Sequence, residues 1–235
     1  MMKQVYCSAM LAGAVWILGE LPASNVMPVL AQVTQVNAVE LMNRGVDKAE
    51  RGDLQGAIAD YTQAIRLQPK FSPAYYNRGI AYYKLGNKQA ALADFSAAIQ
   101  VNQNWEGQAM ANAYYNRATV RYDLADMKGA IADYTQAIRL QPNYAAAYLN
   151  RGNAKDDSGD AQGAIADYTQ AIRIDANYAN AYYNRGNTYR RLGDRQRALA
   201  DLQRASELYQ QQGEMARYQE TLRLLQTLRL QTSQR

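Results

Sequence analysis

The sequence contains no histidine and a single cysteine, Cys7, in 235 residues. Without histidine there is no Ser-His or Cys-His nucleophile pair and no imidazole-ligated zinc or iron. One cysteine forms no intrachain disulfide and no thiolate cluster. What is left is carboxylate, lysine, tyrosine or serine chemistry, or none. Phenylalanine and tryptophan are scarce, at two each, whereas tyrosine occurs 19 times. That bias points to a pattern that asks for tyrosine repeatedly. The net charge is +5, which raises nucleic acid as a partner. The surplus is local, however. Residues 1–184 hold 16 basic and 16 acidic side chains, and residues 185–235 hold ten arginines against five acids. A neutral body with one basic end suits an acidic peptide terminus, a partner protein or an anionic membrane surface better than nucleic acid.

The first residues read as an export signal. Lys3 precedes an uncharged, mostly apolar run from Val5 to Leu18. Fourteen residues are too few to span a bilayer, which needs about 20, and fit the apolar region of a secretory signal. Small residues at Val29-Leu30-Ala31 set an expected cleavage before Gln32, with Ala23 as an earlier site. Residues 1–31 are thus a signal peptide or an uncleaved anchor, and 32–37 a linker. Cys7 lies ahead of the apolar run and is not placed as a lipid acceptor. The expected location is outside the cytoplasm of a bacterium, in the periplasm, or in a thylakoid lumen if the source is photosynthetic; the alternative is attachment to the membrane by the N-terminal segment.

The rest is periodic. AIADYTQAIRLQP occurs at Ala57–Pro69 and again at Ala130–Pro142, with variants at Ala91–Gln100 and Ala164–Ala176. AYYNRG or a close variant closes on Gly79, Ala118, Gly152 and Gly186. The unit is 34 residues long and occurs five times, at 38–71, 72–105, 111–144, 145–178 and 179–212, with five extra residues at 106–110. Position four holds Leu41, Tyr75, Tyr114, Tyr148 and Tyr182, and position 20 is always alanine. Position 24 holds Tyr61, Phe95, Tyr134, Tyr168 and Leu202, and position 27 is always alanine. Tyrosine at position 11 is confined to Tyr82 and Tyr189, and the terminal proline to Pro69 and Pro142.

These offsets resemble the tetratricopeptide repeat (TPR) family. The resemblance implies an all-α, right-handed solenoid of five helix-turn-helix units. The amphipathic period of each segment supports two helices per unit, with Gly52, Gly86, Ala125, Gly159 and Gly193 at the turn between them. One unit cannot bury its apolar face alone, so units must stack. Residues 214–230 read as a capping helix, with Met215, Tyr218, Leu222, Leu225 and Leu228 on its apolar face. The extra residues are expected to lengthen the second unit's second helix or its exit turn, with Trp105 covering the joint.

Two polar columns run through the units. Arginine at position seven (Arg44, Arg78, Arg117, Arg151, Arg185) is matched by aspartate at position 23 (Asp60, Asp94, Asp133, Asp167, Asp201). The two fall on different helices and read as structural ion pairs. A catalytic or metal-binding row is excluded by spacing, since successive aspartates stand one unit apart. Asparagine at position six (Asn43, Asn77, Asn116, Asn150, Asn184) is similar to the ladder that holds peptide backbones in the TPR domain of O-linked N-acetylglucosamine transferases. The resemblance implies that the first helices line a concave groove and that this column points into it. A carboxamide donates and accepts, so it pairs with a peptide backbone whatever the side chains. Tyr76, Tyr115, Tyr183, Asn153 and Asn187 complete the candidate groove, and Arg190 and Arg191 are placed to hold a ligand carboxylate. The expected function is a non-catalytic scaffold that holds an extended segment of a protein or peptide partner, with no catalytic residue, cofactor or metal. Binding of an anionic surface or nucleic acid at the basic end, and self-association through the solenoid ends, are the alternatives; the oligomeric state is left open.

Overall fold

The computed structural model describes residues 37–101, 105 and 107–230. Over these residues the chain forms eleven helices and no strand. They are α1 (Ala38–Glu50), α2 (Leu54–Leu67), α3 (Ser72–Lys84), α4 (Lys88–Val101), α5 (Gln108–Asp123), α6 (Met127–Leu140), α7 (Ala145–Asp157), α8 (Ala161–Ile174), α9 (Ala179–Arg191), α10 (Arg195–Gln211) and α11 (Met215–Leu230). Each helix packs on the next in chain order, and first helices of neighbouring units also touch, at α1–α3, α5–α7 and α7–α9. The result is an all-α solenoid. The expected signal or anchor and most of the linker lie outside the described residues.

Local chemistry sets the helix boundaries. At position 16 an Asp or Asn side chain accepts a backbone N–H from the first turn of each second helix: Asp53 from Gly56, Asn87 from Ala90, Asp126 from Gly129, Asp160 from Gly163 and Asp194 from Arg197, at 2.8–3.1 Å. The preceding residue is left-handed, with φ of 80–88° at Gly52, Gly86, Gly159 and Gly193. Unit three places Ala125 there at φ 61°, a conformation that costs a residue with a Cβ about 1–2 kcal/mol.

Small residues let the helices close on one another. A Cβ added at Gly152 would lie 2.6 Å from the Tyr168 ring, and one at Gly45 would lie 2.5 Å from Tyr61. Alanines at position three (Ala74, Ala113, Ala147, Ala181) are fully buried, and Ala74, Ala147 and Ala181 share core clusters with the position-27 alanine of the unit before. The first unit has exposed Glu40 at that position, its carboxylate accepting the Asn37 N–H at 3.1 Å. A charged residue stands here where every later unit buries alanine, and among the described residues α1 ends the stack.

The other end is closed by α11. Leu225 and Leu228 are buried with Ala198 and Leu202, and Thr221 is buried beside them in sequence. Met215, expected on the buried face, is 51% exposed. The apolar face therefore starts at Tyr218, a turn later than the sequence pattern indicates. The extra residues also differ from expectation. Gln108–Met110 form the first turn of α5, and Met110 is buried, so the first helix of unit three is lengthened rather than α4. The indole of Trp105 meets Tyr76 edge-on, with centroids 5.1 Å apart.

Candidate functional site

The Arg and Asp columns meet inside every unit. In each, Nε and Nη2 of arginine donate to the two carboxylate oxygens at 2.6–2.8 Å. The aspartates are buried, so each needs this paired charge. The remaining nitrogen, Nη1, reaches the preceding unit. Arg78 donates to Thr62, Arg117 to Ser96, Arg151 to Thr135 and Arg185 to Thr169, at 2.9–3.3 Å. One guanidinium thus joins three helices. Position 11 adds a second cation in three units: Lys48 on Asp60, Arg121 on Asp133 and Lys155 on Asp167, at 2.8–2.9 Å. The hydrogen-bonded Arg44 guanidinium holds the Asp60 carboxyl below its usual range.

The Asn column is engaged in a different way from the open ladder expected. Asn116 donates Nδ2–H to the Tyr76 hydroxyl, and Asn150 does the same to Tyr115, both at 2.9 Å. Each bond runs from position six of one unit to position five of the unit before. Unit four has Leu149 at position five, and Asn184 turns instead to Oδ1 of Asn153 at 2.8 Å, which also accepts from Tyr168 at 3.0 Å. Among the described residues the side chains of Asn43 and Asn77 have no hydrogen-bond partner. Unit one supplies Met42 where Asn77 would need a tyrosine.

A second set of bridges crosses the units at positions 12 and 13. Tyr83 donates to Asp123 at 2.9 Å, Tyr122 donates to Asp157, and Asp156 pairs with Arg191. Burial pushes the phenols of Tyr76, Tyr83 and Tyr122 up to about 12, and the neighbouring carboxylates add to this at Tyr83 and Tyr122. All three stay neutral at physiological pH. Arg191 is therefore occupied by Asp156, and Arg190 donates to Asn187 at 3.3 Å. Each guanidinium keeps further N–H donors beyond these bonds. Tyr183 donates to Glu220 of α11 at 2.8 Å.

Aromatic packing completes this face. Tyr76 lies against Phe95, Tyr115 against Tyr134 and Tyr144, and Tyr183 against Tyr209, with centroids 4.9–6.2 Å apart. Trp105 and Tyr144 both occupy position 34, as do Phe71 and Tyr178. This aromatic column was missed in the sequence, although its 34-residue spacing is visible there once the units are aligned. A shallow cleft lies elsewhere, at the N-terminal end, lined by Leu41, Arg44, Gln63, Arg66 and Leu67. Among the described residues no three metal-capable side chains come together, and no helix is long and apolar enough to cross a membrane.

The tetratricopeptide repeat family model matches residues 72–104 and 179–212, and a TPR repeat model matches 47–86, 120–155 and 157–193. Together they span well over half of the chain, on the helix pairs described above. The chain belongs to the tetratricopeptide repeat family. Among solved structures, this TPR chain is similar to a crystal structure of MamA, with 25% identity over 72% of this chain and 96% of that one and a TM-score of 0.67. It is also similar to YrrB, described as a TPR protein with an unusual peptide-binding site, at 23% identity, 79% and 93% coverage and a TM-score of 0.66. MamA from Desulfovibrio magneticus RS-1, residues 41 to the end, is 22% identical over 74% and 96% with a TM-score of 0.68. Comparison with curated proteins returned no significant match. Within the TPR framework the cations at position 11 are substitutions with a purpose: Lys48, Arg121 and Lys155 stand where Tyr82 and Tyr189 do in other units and reinforce the buried aspartate.

Proposed function

We propose that this TPR chain is a non-catalytic scaffold that holds an extended segment of a partner protein along the face made by its first helices, in the assembly of a protein complex. The observation that carries the reading is the composition of that face: half-buried apolar and tyrosine side chains alternate with carboxamides along successive helices, the combination that receives both side chains and backbone of a peptide. First helices line the concave surface in this family, and YrrB shows that the fold accommodates a peptide site. The Arg and Asp columns serve the stack in this reading, each aspartate being paired inside its unit. The same proposal has residues 1–31 direct export, with cleavage before Gln32 or near Ala23, or retention as an anchor, so that the scaffold works outside the cytoplasm.

The test is affinity capture from the source cell with the wild-type chain and with Ile80→Glu. A synthetic peptide copying the captured partner's contact segment should compete with the wild-type complex, and Ile80→Glu should lose the partner while keeping its helical circular dichroism. A partner retained equally by both chains, and not displaced by any of its own peptides, contradicts the proposal.

A further inference from the structure

Resting on that reading of the first-helix face, we infer that the ligand is held by units one and two, and that it is an extended peptide bearing apolar side chains. In units three to five the polar groups of this face are already joined to one another. Asn116 and Asn150 are held by tyrosine hydroxyls, Asn184 by Asn153, and Asp123 and Asp157 by Tyr83 and Tyr122. There one N–H of each of these asparagines is already spent on a neighbour, which leaves a ligand fewer donors than a free carboxamide offers.

Units one and two differ on two counts. Their carboxamides, Asn43 and Asn77, have no hydrogen-bond partner among the described residues. They occupy equivalent positions on α1 and α3, helices that touch. Each offers donors and an acceptor, as a passing peptide bond requires. Around them lie apolar side chains, with exposed Glu40 and Asp47 beside Asn43 on α1. Val39 is 49% exposed, Met42 and Val46 are half-buried on the core of unit one, and Ile80 and Tyr76 are half-buried on the core of unit two. Trp105 extends this surface past Tyr76. The arginine and lysine of α1 closest in sequence, Arg44 and Lys48, both pair with Asp60. An extended peptide sends alternate side chains to one side; here those meet methionine, valine, isoleucine and tyrosine.

Met42 is the residue that keeps this half open. A tyrosine there would stand to Asn77 as Tyr76 stands to Asn116 and would tie the carboxamide down. Met42→Tyr is thus a closing variant expected to add a hydrogen bond inside the stack, with the melting temperature and helical circular dichroism reporting whether the packing on Ala57, Tyr61 and Ala81 is kept.

The experiment selects short random peptides displayed on phage against the full-length chain, then measures the selected peptides by fluorescence anisotropy. The inference expects apolar residues at alternate positions, affinity weakened about tenfold or more by Asn43→Ala with Asn77→Ala, as two lost hydrogen bonds imply, and a comparable loss in Met42→Tyr at unchanged melting temperature. Acidic peptides whose affinity falls on Arg190→Ala and is untouched by either N-terminal variant overturn the inference while leaving a peptide-binding face. Selection of no peptide overturns the inference together with the reading it rests on, and so does enrichment of sequences from the chain's own ends, which identifies the face as a self-association surface.

Discussion

At Gly152 a single hydrogen marks the limit of how closely α7 and α8 can approach. The added methyl of Gly152→Ala would sit 2.6 Å from the Tyr168 ring, and the ring is fully buried. Unit three carries Ala118 at the equivalent position, in the same buried cluster as Tyr134. Gly152→Ala should therefore destabilise by about 1–2 kcal/mol, read from the urea midpoint, and no change would show that the contact is not limiting. The converse holds at the turn of the same unit three. Ala125 has φ of 61°, so Ala125→Gly should stabilise by about 0.5–1 kcal/mol, the relief of a left-handed Cβ less the extra freedom of glycine when unfolded. A fall in melting temperature would contradict it. Both positions are visible in the sequence as members of small-residue columns; that the Tyr168 ring is what keeps residue 152 small is not, because Tyr168 lies sixteen residues away on another helix.

At the scale of helices, one guanidinium ties two helices of a unit to the last helix of the unit before. The arginines are not equivalent. Among the described residues Asp201 pairs with Arg185 and no second cation, whereas Asp167 pairs with both Arg151 and Lys155. Arg185→Ala leaves a buried carboxylate without a cation and should cost about 3–5 kcal/mol. Arg151→Ala should cost less, because Lys155 remains 2.9 Å from Asp167. Equal losses in chemical denaturation would show that the second cation contributes nothing. The two columns could be read directly, since sixteen residues separate each Arg from its Asp. The role of Lys48, Arg121 and Lys155 could not, for they look like departures from the repeat until the aspartate beside them is seen. The Tyr76–Asn116 and Tyr115–Asn150 bonds were hidden for a related reason: they join residues 40 and 35 apart in different units, and periodicity fixes each column without fixing which column touches which. That is why the carboxamides read as free in the sequence, whereas Asn116, Asn150 and Asn184 are tied in the fold.

Over the whole molecule, tyrosine is both filler and fastener, and this sets an alkaline limit. Burial raises Tyr76, Tyr178 and Tyr209 to about 12, while an unfolded tyrosine ionises near 10. Between these values the unfolded chain has lost protons that the folded chain keeps, so stability is full below about pH 10 and falls as pH rises towards 12. Tyrosinate absorbance should appear together with the loss of helical circular dichroism; ionisation that is complete before any helix is lost would contradict this. The stack itself was legible from the 34-residue period, and the lengthening of α5 was not, because an insertion between units can join either neighbour and only the burial of Met110 decides. The central claim is that a partner lies along the first-helix face, and site-specific photo-cross-linking in the source cell tests it most directly. A photoreactive residue at Ile80 on α3 should yield a protein adduct, whereas one at exposed Leu140 at the end of α6 should not; adducts formed equally from both positions, or from Leu140 alone, would contradict the account.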